Sequence, residues 1–128
     1  MAATKKRGWL WVVKQSSYAP MEKILVAQSR HETGDWNSQL FKSHHNLFGM
    51  KYDKINAPYS YQGPVSPEGD YYAGYNSWAD SAKHLLNWLE RKSIPVTTNP
   101  DDYVKSIQDN GYFTAGLVDY ANGVKRYL

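Results

Sequence analysis

Glu32 is the residue around which chemistry is expected in this chain. Its surroundings, Ala27 to Lys51, read AQSRHETGDWNSQLFKSHHNLFGMK. Pro20 suits the first turn of a helix. Met21, Ile24, Leu25 and Ala27 then make that helix apolar over much of its girth, which predicts burial. Thr33-Gly34 is the expected stop, because glycine takes positive φ without a steric penalty. Glu32 would thus occupy the last turn and face the negative end of the helix dipole. That field and partial desolvation both favour a protonated carboxyl, the form that acid-assisted cleavage of a glycosidic bond requires. The residues alone leave a second reading open, a surface Glu32 paired with Arg30 or Lys42. Asp35 is expected to raise the Glu32 pKa further by like-charge repulsion.

Other chemistry-bearing residues sit nearby. His31, His44 and His45 suggest a metal, but the zinc-protease pattern needs a second histidine one helical turn after the first. Position 35 is Asp and Gly34 interrupts the helix, so neither a metal nor any other cofactor is expected. Trp36 either lines a binding site or caps the core beside the helix end. The segment APYSYQGPVSPEGDYYAGY, from Ala57 to Tyr75, has no helical period. It predicts a β-hairpin or ordered loop turning at Pro67-Glu68-Gly69-Asp70. Glu68 and Asp70 there serve either turn chemistry or a site.

The elements that must hold these groups are mostly helices. Trp9, Leu10, Val12 and Val13 predict a short helix over one end of the core, preceded by a solvated basic tail at Lys5-Lys6-Arg7. Gln39-Leu40-Phe41-Lys42 predicts a brief helical piece. Ser77 caps a helix whose Trp78, Ala82, Leu85, Leu86 and Leu89 form one apolar stripe; this reads as a packing helix without chemistry. Asn99-Pro100-Asp101-Asp102 starts another, with Gly111 ending it. Thr114 is the expected cap of the last helix, over Leu117, Ala121, Val124 and Leu128.

Several of these segments together resemble the bacterial and phage glucosaminidases of glycoside hydrolase family 73, the flagellar-muramidase and autolysin type of peptidoglycan hydrolase. The resemblance rests on Gln28, Glu32-Thr33-Gly34, and Asn46-Leu47-Phe48-Gly49-Met50-Lys51. It continues through Tyr75-Asn76-Ser77-Trp78, Asn110-Gly111-Tyr112 and Tyr120-Ala121. His45-Asn46 replaces the family's paired asparagines, and Phe113-Thr114-Ala115-Gly116 replaces its Ala-Thr-Asp-Pro. The resemblance covers the chain from about Pro20 onward. It implies a mainly α, lysozyme-like helical domain with a small irregular or β-hairpin lobe across a groove. It further implies Glu32 as general acid, Glu68 as the second acidic residue, and Tyr112 beside the catalytic Glu. Trp36, Asn46, Phe48, Tyr72, Tyr75 and Tyr120 are the expected substrate-binding residues.

Length and composition fit this frame. The 128 residues suit one catalytic domain spanning 1–128, with a flexible basic tail over 1–8. The 11 tyrosines and 5 tryptophans supply flat faces with polar edges, useful against sugar rings and in cores alike. A net charge of +3 suits a polyanionic bacterial wall. It suits nucleic acid almost as well, but the basic residues are scattered rather than striped, so a nucleic-acid partner is not expected. The absence of cysteine excludes disulfides and thiol chemistry. No membrane span is read. Gly8–Val13 is too short for a leader core, so delivery to the wall by a phage or virion, or a removed leader, is expected. The expected function is a monomeric endo-β-N-acetylglucosaminidase acting on peptidoglycan. The alternatives are an N-acetylmuramidase or lytic transglycosylase on the same fold, or a non-catalytic wall-binding or virion structural module.

Overall fold

The computed structural model describes the backbone from Ala3 to Leu128 and the side chains from Gly8 onward. Helix α1 spans Ala3–Lys14, so the segment expected as a loose tail is helical from Ala3. A 3-10 turn at Ala19–Met21 carries Pro20 and leads directly into α2, Glu22–Glu32. Helix α3 is Gln39–His44, begun by Ser38, whose hydroxyl accepts the Phe41 N–H. Strands β1, Tyr61–Val65, and β2, Tyr71–Gly74, form an antiparallel hairpin with an irregular register between Gln62 and Val65. Helices α4, Trp78–Arg91, α5, Pro100–Asp109, and α6, Leu117–Lys125, complete the chain. This is the mainly helical, lysozyme-like architecture with a hairpin lobe.

The predicted caps of α4 and α5 form as the residue types dictate. Ser77 accepts the Asp80 N–H, and Asn99 accepts those of Asp101 and Asp102. The cap of α6 differs: Gly116 holds that position and no side chain caps it, so Thr114 has no such role. Helix α1 packs on α4, and α2 and α5 both pack on α6. Trp9, Met21, Leu25, Leu47, Phe48, Leu85, Leu89 and Ile107 fill the core between them. No helix among the described residues is long and apolar enough to cross a membrane.

The joint between helices and hairpin is the turn Asn46–Lys51. Asn46 is buried and fully occupied. Its Oδ1 accepts the Phe48 and Gly49 N–H groups, and its Nδ2 donates to the carbonyls of Met50 and Ala73. Ser81 of α4 accepts the Leu47 N–H. One amide thus closes the turn and ties it to β2. Removing it leaves the Phe48 and Gly49 N–H groups without their acceptor in a dry region, where each orphan is costly. Asn46→Ala is expected to lower unfolding free energy by roughly 3 kcal/mol. Urea denaturation measures this; a loss under about 0.5 kcal/mol would refute the role.

Candidate active site

Glu32 ends α2 on the wall of a groove of about 1120 Å³. The helix stops there because Thr33 folds back. Its hydroxyl donates to the Ser29 carbonyl and accepts the Trp36 N–H, while Gly34 takes φ +58°. Asp35 and Trp36 also adopt positive φ, an uncommon conformation for residues bearing a Cβ. The Glu32 residue keeps some exposure, yet its carboxyl end is crowded by protein. Burial pushes its pKa from the ordinary 4.5 up to about 7, opposed by a hydrogen bond with Tyr120. Asp35 has no part in this. Its carboxylate pairs with Arg30 at 2.6 Å on the surface, and burial rather than the expected like-charge effect raises the Glu32 pKa.

Two features hold the carboxyl in place. Gly49, at φ +69°, presses its backbone against it: a Cβ at position 49 would lie 2.9 Å from Glu32 Oε2. On the other side a polar relay runs inward through the core. Tyr120 bonds Glu32, Gln28 Nε2 donates to the Tyr120 oxygen at 3.3 Å, and Tyr103 donates to Gln28 Oε1 at 2.6 Å. Gln28 and Tyr103 are completely buried, so the relay is rigid at its root. Phe113 stacks on Tyr120 with centroids 4.0 Å apart.

The facing wall belongs to the hairpin. Glu68 and Tyr72 line the same groove as Glu32, with Lys51 between them and the floor. Lys51 Nζ reaches Glu68 at 3.2 Å and Asp70 at 3.0 Å, and sits 5.3 Å from the Tyr72 ring centre. The Ser66 hydroxyl and this ammonium hold the Glu68 carboxyl below its ordinary pKa. Across the groove, Tyr112 donates to the Phe48 carbonyl at 2.7 Å and its ring meets Trp88.

Of the residues expected from the sequence, Glu32, Glu68, Tyr72, Tyr112 and Tyr120 come together at this groove. Four do not reach its surface. Trp36 lies against α2, its indole N–H donating to Ser29. Asn46 is consumed by backbone groups, Phe48 packs edge-on to Trp9, and Tyr75 is buried with its hydroxyl on His84. Asp53, His84 and Trp88 also line the groove and carry no signal in the sequence. Asp53 sits in an irregular loop, and the other two lie on a helix read as packing.

The glucosaminidase family model, described as mannosyl-glycoprotein endo-beta-N-acetylglucosaminidase, matches residues 9–128. The chain belongs to the glucosaminidase family. It is therefore a glycoside hydrolase domain. No curated protein matches the sequence. A solved structure of a type VI secretion system effector–immunity complex from Pseudomonas protegens is similar in fold, with a TM-score of 0.69 and 16% identity. The match covers 98% of this chain and 89% of that one.

Two outcomes follow for this glucosaminidase domain. The folded state binds the Glu32 proton more tightly than the unfolded chain does. Stability is therefore lost as pH rises from about 4.5 to about 7. Glu32→Gln removes that loss and is expected to be more stable than wild type at pH 8, by about 1–2 kcal/mol after discounting for the open side of the groove. Parallel urea unfolding at pH 4.5 and 8 decides it; an unchanged difference between the two proteins would sink the idea. Gly49→Ala forces a methyl towards the carboxyl from a strained backbone and is expected to cut hydrolysis at least about tenfold while the fold persists by circular dichroism. Activity within twofold would show that the contact is unimportant.

Proposed function

We propose that this domain hydrolyses the glycan strand of bacterial peptidoglycan as an endo-β-N-acetylglucosaminidase, with Glu32 as the general acid. The observation that carries this is a carboxyl on a groove wall that keeps its proton up to about pH 7. Such a group protonates the bridging oxygen as the bond breaks, a contribution of about 10²–10⁴ in rate. Membership of the glucosaminidase family supports action on peptidoglycan. The net charge of +3 suits that anionic polymer.

Glu68 takes the opposite part. Held ionised by Ser66 and Lys51, it is available to activate a water or to steady the positive charge that develops on the sugar. Tyr112 spends its proton on the Phe48 carbonyl, which leaves its oxygen to accept from a water or an acetamido N–H. Tyr120 keeps the Glu32 carboxyl aimed. The domain acts as a monomer and without a cofactor. It reaches the wall by phage delivery or, as for the effector in the similar structure, by a secretion route.

The ion pair between Glu68 and Lys51 favours a second reading. If that pair stays closed, a hydroxyl of the substrate itself can attack: Glu32 gives its proton to the leaving oxygen, and its carboxylate takes the proton released by the attacking hydroxyl, as in cleavage by internal transfer after N-acetylmuramic acid.

Digestion of purified walls tests both. Wild type is expected to release reducing ends, with the rate falling above about pH 7. Glu32→Gln should lose at least ~100-fold and Glu68→Gln about tenfold or more. Mass spectrometry then reads the new ends: reducing N-acetylglucosamine supports the first route, anhydro-muramic ends the second. Wall binding with no fragment released by wild type would leave only a non-catalytic module.

A further inference from the structure

Helix α4 turns two side chains, His84 and Trp88, into the groove one helical turn apart. Neither is used by the chemistry at Glu32. His84 is almost wholly buried, yet it lines the groove. Its Nδ1 bonds the Tyr75 hydroxyl at 2.6 Å. Among the described residues, Nε2 has no hydrogen-bond partner and is not fully enclosed.

The Tyr75 bond sets which ring nitrogen carries the proton. Among the described residues, the hydrogen-bond partner of the Tyr75 hydroxyl is His84 Nδ1. A buried hydroxyl gives its proton to the acceptor it has, so Tyr75 donates to Nδ1 and the ring proton sits on Nε2. Burial pushes the imidazole pKa down to about 4, with smaller opposed effects from Asp53 and Arg91. The ring is uncharged at neutral pH. Asp53 offers it no hydrogen bond, because the Asn56 side chain and the Ile55 and Asn56 N–H groups occupy that carboxylate. The groove floor therefore presents one oriented, neutral donor. Such a group suits a neutral oxygen better than an anion, which would draw a charged partner.

Trp88 stands beside it. It is half-buried, and the Tyr112 ring meets it at 72° with centroids 5.1 Å apart. Tyr112 in turn feels the Glu32 charge, so the indole lies near the proposed acid. Asn87, between the two, donates to the Asn56 carbonyl at 2.9 Å and pins the 53–56 turn over this part of α4. An aromatic surface next to a fixed polar group suits a hydroxylated ring that has an apolar C–H face and polar edges.

We propose that α4 supplies a sugar-binding subsite of the groove, in which Trp88 takes the C–H face of a pyranose ring and His84 Nε2 donates to one of that ring's neutral oxygens. This rests on the glycan-hydrolase reading above, and binding is measured separately from cleavage so that the two can fail independently. The β-1,4 tetramer of N-acetylglucosamine is titrated into the Glu32→Gln protein by calorimetry, alone and combined with Trp88→Leu or His84→Phe. Each second change is expected to weaken binding about tenfold. In the Glu32-intact protein, each should raise KM on solubilised glycan with kcat within threefold. If His84→Phe does not fold, as judged by circular dichroism, the half-exposed Trp88 still decides. No binding to the Glu32→Gln protein at millimolar tetramer, or affinity within twofold in folded variants, overturns the subsite. Tetramer binding that depends on Trp88, in a protein that never cleaves walls, keeps the subsite and removes the hydrolase reading.

Discussion

The structure depends on the contact between the Glu32 carboxyl and the backbone of Gly49. A carboxyl at a helix end would ordinarily turn into water and ionise. Here the turn Asn46–Lys51 is pressed over it so closely that no Cβ fits between. Desolvation then does what no neighbouring charge does, and the proton stays on. The closeness has to be maintained against the solvation free energy of a carboxylate. That explains why so much buried hydrogen bonding converges on the two sides of this contact.

One side is the Asn46 amide, whose four bonds define the turn. The other is the Tyr103–Gln28–Tyr120 relay rooted in the core. Both are fully satisfied polar networks, and such networks specify a single arrangement because partial disruption leaves costly orphans. Helix α6 approaches α2 closely enough that the His31 ring occupies the space a side chain at Gly123 would need. That approach brings Tyr120 beside Glu32.

The hairpin is built differently. Its tip residues Glu68 and Asp70 are exposed, and Lys51 and Ser66 connect them to the floor. Exposed ion pairs of this sort contribute little stability. The charge contacts therefore act at the hairpin tip, while its base is joined to the Asn46–Lys51 turn by the Tyr52 and Ala73 N–H groups, which donate to the carbonyls of Tyr71 and Met50.

The sequence alone determined the helix that carries Glu32, its stop at Thr33-Gly34, the capped starts of α4 and α5, and the hairpin turn. Each rests on local rules: caps, first-turn prolines and glycine's access to positive φ act within a few residues. The motif residues around Glu32 and Asn46 also made the family legible before any fold was seen. Tertiary structure alone decided what those residues do. Asn46, Phe48 and Tyr75 belong to the motifs yet serve the scaffold, and Asp35 pairs with Arg30 instead of acting on the acid. His84 and Trp88 were invisible because an apolar stripe defines which face of α4 is buried, but not what lies over its edges. Which edge meets the groove depends on where the 53–56 turn and Tyr112 land. The Glu32 pKa is of the same kind, because desolvation is set by chain segments distant in sequence that fold over the carboxyl.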